Sequence, residues 1–197
     1  MNPLATVVPY GLAFWAVFLW AFIPEFRIVY RAGRAARAAR SPDAGSTGVI
    51  ALGMWVAFAL AFPLSHVPAW RFAPSAQIPA FWTGLALLVA GGLLRRHCWR
   101  MLGASFTGDV RARSDQQVVT AGAYRFVRHP SYTAGTIMNL GVGIVLGSWV
   151  SAALLAAASV AVYTYRMRVE ERALLAAIGE PYAAFMRTRK RLVPYLF

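Results

Sequence analysis

The chain has 197 residues, 59% of them hydrophobic, and a mean hydropathy of +0.53. A soluble domain is about 45–50% apolar, so this composition argues for an integral membrane protein, of a length that suits a single domain. The net charge of +13 invites a nucleic-acid partner. However, nineteen of the twenty basic residues are Arg set in the gaps between apolar runs, which is the distribution that membrane topology produces. No nucleic acid is expected, and if a polyanion is bound, acidic lipid is the expected one.

The first apolar run, Leu4 to Ile23, is uncharged and long enough for a ~30 Å hydrocarbon core. Pro24 is expected to end it. Tyr10, Trp15 and Trp20 suit interface anchoring or packing. No basic segment and cleavage pattern marks it as a cleaved signal peptide. Arg27, Arg31, Arg34, Arg37 and Arg40 then recur every three or four residues, a basic helical stripe facing solvent or headgroups. Residues 41–46 read as a loop. Val49 to Leu64 is a second, shorter run. The link that follows, rich in proline, has Arg71 as its one base. Ile78 to Leu94 is a third run, ended by Arg95-Arg96, and Gly84, Gly91 and Gly92 in it would admit a close helix neighbour. Cys98, the only cysteine, reads as a packing residue near a helix end. Neither an intramolecular disulfide nor a Cys-based zinc site can be built from it.

Residues 95–131 form the longest polar segment, with Arg95, Arg96, Arg100, Arg111, Arg113, Arg125 and Arg128. Thr133 to Tyr165 is too long for one crossing and breaks at Gly147-Ser148. It reads as a tight hairpin of two short spans, with Gly143-x-x-x-Gly147 fitting close contact. The fold expected is all-α: a single polytopic membrane domain (1–197) of about five transmembrane helices, with three N-terminal helices in 1–94 and a C-terminal hairpin in 95–197. Five spans put nineteen of the twenty bases on one side, so the N-terminus is expected outside and the C-terminus in the cytoplasm.

The densest local chemistry is Gly122 to Tyr132, G-A-Y-R-F-V-R-H-P-S-Y. Pro130 disfavours helix at His129, and Ser131 is the natural N-cap for a helix that begins there. This brings Arg128, His129 and Tyr132 to the mouth of a membrane helix. Glu170-Glu171 stands where the next apolar run gives way to charge, and ionisable groups so placed face a cavity or a partner. Arg166 is an i,i+4 neighbour of Glu170 and can pair with it as an ordinary helix salt bridge. Successive residues point ~100° apart, so Glu171 has to look elsewhere, toward Arg128 and His129. The three histidines lack metal-ligand spacing, and no metal is expected. Gly141-x-Gly143 lies inside the apolar hairpin and is not a dinucleotide loop.

The G-A-Y-R-F-V-R-H-P-S-Y stretch, two apolar spans and then R-M-R-V-E-E-R with G-E-P-Y-A-A-F resemble the isoprenylcysteine carboxyl methyltransferase and phospholipid methyltransferase superfamily over about residues 95–197. Trp99 to Gly103, W-R-M-L-G, resembles a family segment lining the same pocket. The resemblance implies S-adenosylmethionine bound at the cytoplasmic membrane face, with residues 95–197 as the catalytic half. It implies that Trp99, Gly103, Tyr124, His129, Pro130, Tyr132, Glu170 and Glu171 hold the cofactor. Arg128, Arg168 and Glu171 are the expected catalytic group, because guanidinium orients a carboxylate or phosphate bidentately. A prenylated cysteine carboxylate, a phospholipid amine, an isoprenoid and a small thiol are all compatible acceptors. The alternatives are a membrane sterol reductase using a nicotinamide cofactor, similar in the ending R-L-V-P-Y-L-F but usually with Asn at the place of Ser131, and a non-enzymatic membrane protein that keeps the fold.

Overall fold

The computed structural model of the protein describes residues 2–39, 45–103 and 117–194. Backbone in lipid must satisfy its own hydrogen bonds, and uncharged apolar runs do so as helices. Five helices run between two ends of the molecule: α1 (Tyr10–Ala39), α2 (Ser46–Leu64), α3 (Gln77–Leu102), α4 (Pro130–Val145) and α5 (Trp149–Ile178). A short α6 (Glu180–Thr188) follows them. Among the described residues there is no strand, only the isolated bridges Arg71–Ser148 and Val127–Lys190. Helices α1, α2, α3 and α5 are long and apolar enough to cross a membrane. Helix α4 has 16 residues, about 24 Å at the helical rise, and packs against both α3 and α5.

The two ends are identified by their contacts. At one, Arg71 donates to the Asn2 carbonyl at 3.3 Å and the Phe72 amide donates to the Gly147 carbonyl at 2.9 Å. The proline-rich link, the hairpin turn and the start of the chain therefore lie together. At the other, Arg95 of α3 meets Glu25 of α1 and Ser131 of α4, and Arg166 of α5 meets Ser46 of α2. The candidate site lies at this second, basic end.

Three boundaries differ from the sequence reading. Pro24 does not end the first helix, which continues through the arginine stripe to Ala39. Proline lacks an N–H, so the Trp20 carbonyl four residues earlier loses its helical donor. Arg96 Nη2 supplies one at 2.5 Å, and its guanidinium lies 3.9 Å from the centroid of a Trp20 ring. Helix α3 runs past Arg95-Arg96 to Leu102, because Arg95 finds partners inside the protein and Arg96 finds the freed carbonyl. Helix α5 runs past Tyr165 to Ile178, so Glu170 and Glu171 stand on the helix and not beyond it. The side chain of Arg37, together with Arg40, loop residues 41–44, Arg111, Arg113 and the last three residues of the C-terminal ending, lies outside the described residues.

The hairpin break falls where expected: α4 ends at Val145, Gly147 turns with φ +73°, and α5 starts at Trp149. Gly143 faces the Ala152 backbone across that hairpin. Glycines also set the crossing of α3 and α4. A Cβ on Gly84 would sit 2.6 Å from the Gly141 carbonyl oxygen, and one on Gly141 would sit 2.7 Å from that of Gly84. The apolar interior around this crossing includes Phe81, Leu88, Met138 and Val142, all fully buried. Gly141→Ala must push two backbones apart and is expected to cost about 1–3 kcal/mol. Gly48→Ala, with open space around its Cβ position, is expected to be neutral or slightly stabilising. Thermal unfolding of both variants in one detergent checks this, and a Gly141→Ala protein as stable as the wild type would contradict the close approach.

Candidate active site

The site begins with an extended strand-like segment. The Arg128 amide donates to the Lys190 carbonyl at 2.8 Å and the His129 amide to the Arg191 carbonyl at 3.0 Å, so the chain end runs beside residues 127–129. His129, at φ −126° and ψ 56°, is the N-cap of α4, and Pro130 is its first residue. Ser131 was the expected cap. The helix starts earlier because proline is well suited to the first helical position, where an N–H would be unsatisfied anyway. Ser131 has another role: its carbonyl and hydroxyl accept from Arg95 Nη1 at 2.5 and 3.0 Å.

Two glutamates on α5 then face two different sets of groups. Glu171 is buried, at 3% exposure. Its Oε1 accepts from Arg128 Nε at 2.9 Å and lies 3.2 Å from His129 Nε2, and its Oε2 accepts from Arg191 Nη2 at 2.8 Å. A buried carboxylate is tolerated only when its lone pairs are met in this way. Arg128 also donates through Nη1 to the carbonyls of Met186 and Arg189 at 2.9 and 2.6 Å. Its guanidinium is thus spent on the protein's own acceptors, and it fastens the C-terminal arm after α6 to α5. Thr133 Oγ1, donating to the Leu192 carbonyl at 2.7 Å, adds a second tie. The carboxylate beside it pushes the Arg191 guanidinium above its ordinary value.

Glu170 is half-buried and its Oε2 accepts from the Tyr132 hydroxyl at 2.8 Å. That hydroxyl in turn accepts from Arg166 Nε at 3.3 Å, and Arg166 Nη1 donates to Ser46 Oγ and Thr47 Oγ1 at 2.6 and 3.2 Å. Arg166 therefore reaches Glu170 through the tyrosine. The Tyr132 ring stacks on Tyr163 with centroids 4.9 Å apart. Above them the Arg95 guanidinium lies 5.7 Å from the Tyr132 centroid and 5.6 Å from a Trp99 ring. Arg95 is held in turn by Glu25, at 2.6 and 2.9 Å.

The remaining expected residues are distributed around this pair. Trp99 faces Arg95 from α3. Gly103 closes α3 with φ +49°, and its amide bonds the Trp99 carbonyl. Tyr124 is buried in the 3-10 turn Gly122–Arg125, and burial pushes its phenol up. Pro130 is buried under the helix start. Arg168 is exposed and joined to no acceptor among the described residues. Sequence reasoning missed the Glu25–Arg95 pair and Arg191. One signal was available for the first of these: Glu25 is the only acid before Asp43, placed at the end of an apolar run, where an ionisable group needs a partner.

The geometry separates the glutamates. Glu171→Gln leaves Arg128 buried without its counter-charge and is expected to lower stability by about 3–5 kcal/mol. Glu170→Gln keeps its hydrogen-bonding shape at a half-exposed position and is expected to cost less than about 1 kcal/mol. Thermal unfolding of the two variants checks this; equal stability loss would mean that both carboxylates are structural.

Residues 84–176 match the model of the isoprenylcysteine carboxyl methyltransferase (ICMT) family. Protein-S-isoprenylcysteine O-methyltransferase B of Arabidopsis thaliana is 29% identical over 115 residues, which are 57% of this chain and 58% of that protein. The protein-S-isoprenylcysteine O-methyltransferase of Schizosaccharomyces pombe is 30% identical over 116 residues, 58% of this chain and 49% of that protein. The chain thus matches about half of the length of these curated relatives. Its fold is similar to that of the solved structure of the eukaryotic intramembrane Ras methyltransferase ICMT without a monobody, with a TM-score of 0.55 and 20% identity, covering 97% of this chain and 87% of that one. The family match takes in Arg95, the R-H-P-S-Y segment and both glutamates, and over residues 84–176 the chain is similar to the isoprenylcysteine carboxyl methyltransferase family.

Proposed function

We propose that this protein is an S-adenosylmethionine-dependent methyltransferase acting on the carboxylate of a lipidic, isoprenylcysteine-like acceptor at the cytoplasmic face of the membrane. The observation that carries the reading is the Glu170 carboxylate. It is held by Tyr132 through one oxygen, while its other oxygen takes no bond from any described residue. Aromatic rings and a buried polar network surround it. A ligand with a sulfonium, an ammonium and ribose hydroxyls suits such a place, because a carboxylate accepts from the donors and aromatic faces attract the cation. The bound cofactor supplies an electrophilic methyl group.

The residues of the chain then divide the work. Glu170 and Tyr132 hold the donor. Trp99, Gly103 and Tyr124 bound the site from the α3 end, and His129 and Pro130 fix where α4 starts. Glu171 anchors that start through His129 and Arg128. Arg168, exposed and uncommitted, is the arginine suited to orient an acceptor carboxylate; Arg128 acts by positioning Glu171 and the C-terminal arm. A carboxylate acceptor, with a pKa of about 3.5, is already ionised at neutral pH. The transfer therefore needs alignment and a dry pocket more than a general base. Residues 95–197 form the catalytic half, and the helices of 1–94 line the acceptor's path from the bilayer. The relatives found are named methyltransferases, which favours methyl transfer over a nicotinamide-dependent reduction.

Turnover of labelled S-adenosylmethionine against a farnesylated cysteine in liposomes tests the reading. Wild type should transfer label, and Glu170→Gln should lose at least tenfold of the rate with its fold intact. Near-wild-type turnover in Glu170→Gln would contradict the assignment. The orientation has its own test. The basic end is assigned to the cytoplasm by its arginines, so reporter fusions after Arg40, Arg71, Arg113 and Phe197 should read in, out, in and in. An external signal at Phe197 would reverse the scheme.

A further inference from the structure

A cleft at the basic end is assigned no ligand in the methyl-transfer reading, although Arg128 and Arg191 in its lining pair with Glu171. It has a volume of about 810 Å³ and lies between the turn before α4 and the C-terminal arm. Its lining includes Arg125, Phe126, Arg128, Arg189, Lys190 and Arg191, together with Arg187. Some of these cations are matched. Arg128 and Arg191 share Glu171, and Arg187 pairs with Glu180. The other three have no acidic partner among the described residues: Arg125, Arg189 and Lys190. Arg189 donates from Nη1 to the Thr188 carbonyl at 3.0 Å, while its Nε is buried with no acceptor among the described residues. A buried donor without a partner is a cost that a ligand oxygen would remove. Cations crowded into one concave surface raise the local potential and attract an anion.

The surroundings of the cleft indicate which anion. Phe126 at its wall is 53% exposed, and the Arg125 guanidinium lies over that ring at 4.4 Å. An exposed ring beside an arginine suits the membrane interface, where the ring meets acyl chains and the guanidinium reaches the headgroup layer. The cleft is also only a few residues from the start of α4, at the end where the spans leave the apolar zone. Guanidinium and ammonium groups together match a phosphodiester, Arg by bidentate hydrogen bonds and Lys as a point charge. We propose that this cleft binds the headgroup phosphate of an anionic phospholipid of the leaflet at the basic end, through Arg125, Arg189 and Lys190. The proposal is independent of methyl transfer and would hold for a chain without that activity.

Native mass spectrometry of the full chain in a neutral detergent tests it, with dioleoylphosphatidylglycerol and dioleoylphosphatidylcholine as probes. The wild type should retain phosphatidylglycerol in clear preference to phosphatidylcholine. Each charge near a membrane surface contributes a factor of about five, so Arg125→Gln with Lys190→Gln should reduce retention about tenfold or more. Arg125→Lys with Lys190→Arg, which keeps both charges, should preserve most of it. Arg31→Gln with Arg34→Gln on the exposed stripe of α1 should leave retention nearly unchanged. If the paired Gln variant fails to fold, Lys190→Gln alone decides, with an expected loss of about fivefold. Equal retention of the two lipids, undiminished retention in the Gln variants, or an equal loss in the α1 variant would each overturn the proposal. So would full displacement of the lipid by millimolar inorganic phosphate, which would make the cleft a site for soluble anions.

Discussion

The rest of the basic end depends on one buried carboxylate. Glu171 sits at the junction of three segments that are far apart in sequence: its own helix, the 127–130 segment that starts α4, and the C-terminal arm. A carboxylate removed from water is costly unless it is paired and hydrogen-bonded. Arg128, His129 and Arg191 meet that demand together. Because Arg128 also holds two carbonyls of the arm, the electrostatic requirement of one residue fixes the position of a whole segment. The neighbouring Glu170 can then be left half-satisfied, since the scaffold around it does not need its charge.

A second buried pair ties the N-terminal half to this scaffold. Arg95 grips Glu25 of α1 with two hydrogen bonds and Ser131 of α4 with another two. One residue later, Arg96 takes the carbonyl that Pro24 leaves without a donor. Successive arginines on α3 thus handle two successive disturbances in α1, a missing amide and an acid. The result is that the stacked Tyr132 and Tyr163 rings, and with them the Tyr132 hydroxyl on Glu170, have a fixed backing from α3.

Much of this was legible in the sequence, and the physical reasons separate what was from what was not. Uncharged runs mark helices because lipid leaves backbone no other choice, and Gly147-Ser148 marks the hairpin because the left-handed turn needs glycine. The divergence of the two glutamates follows from helical geometry, and Glu171 does turn to Arg128 and His129. Three features were not legible. The length of α1 through Pro24 depends on a donor supplied from α3. The Glu25–Arg95 pair joins residues 70 positions apart, beyond the reach of any local period. Arg191 lies in a tail whose charges look like ordinary topology signals until the arm is seen folded against Glu171. Each of these is a long-range partner for a locally unfavourable group.

On the proposed function, Tyr132 and Glu170 act as one unit toward bound S-adenosylmethionine. A double-mutant cycle with Tyr132→Phe and Glu170→Gln, read as S-adenosylmethionine affinity by calorimetry, tests it most directly. Weaker binding is expected in each single variant, with a coupling of about 0.5–3 kcal/mol, because removing either group already breaks the same hydrogen bond. Strictly additive losses, or wild-type affinity in either variant, would contradict it.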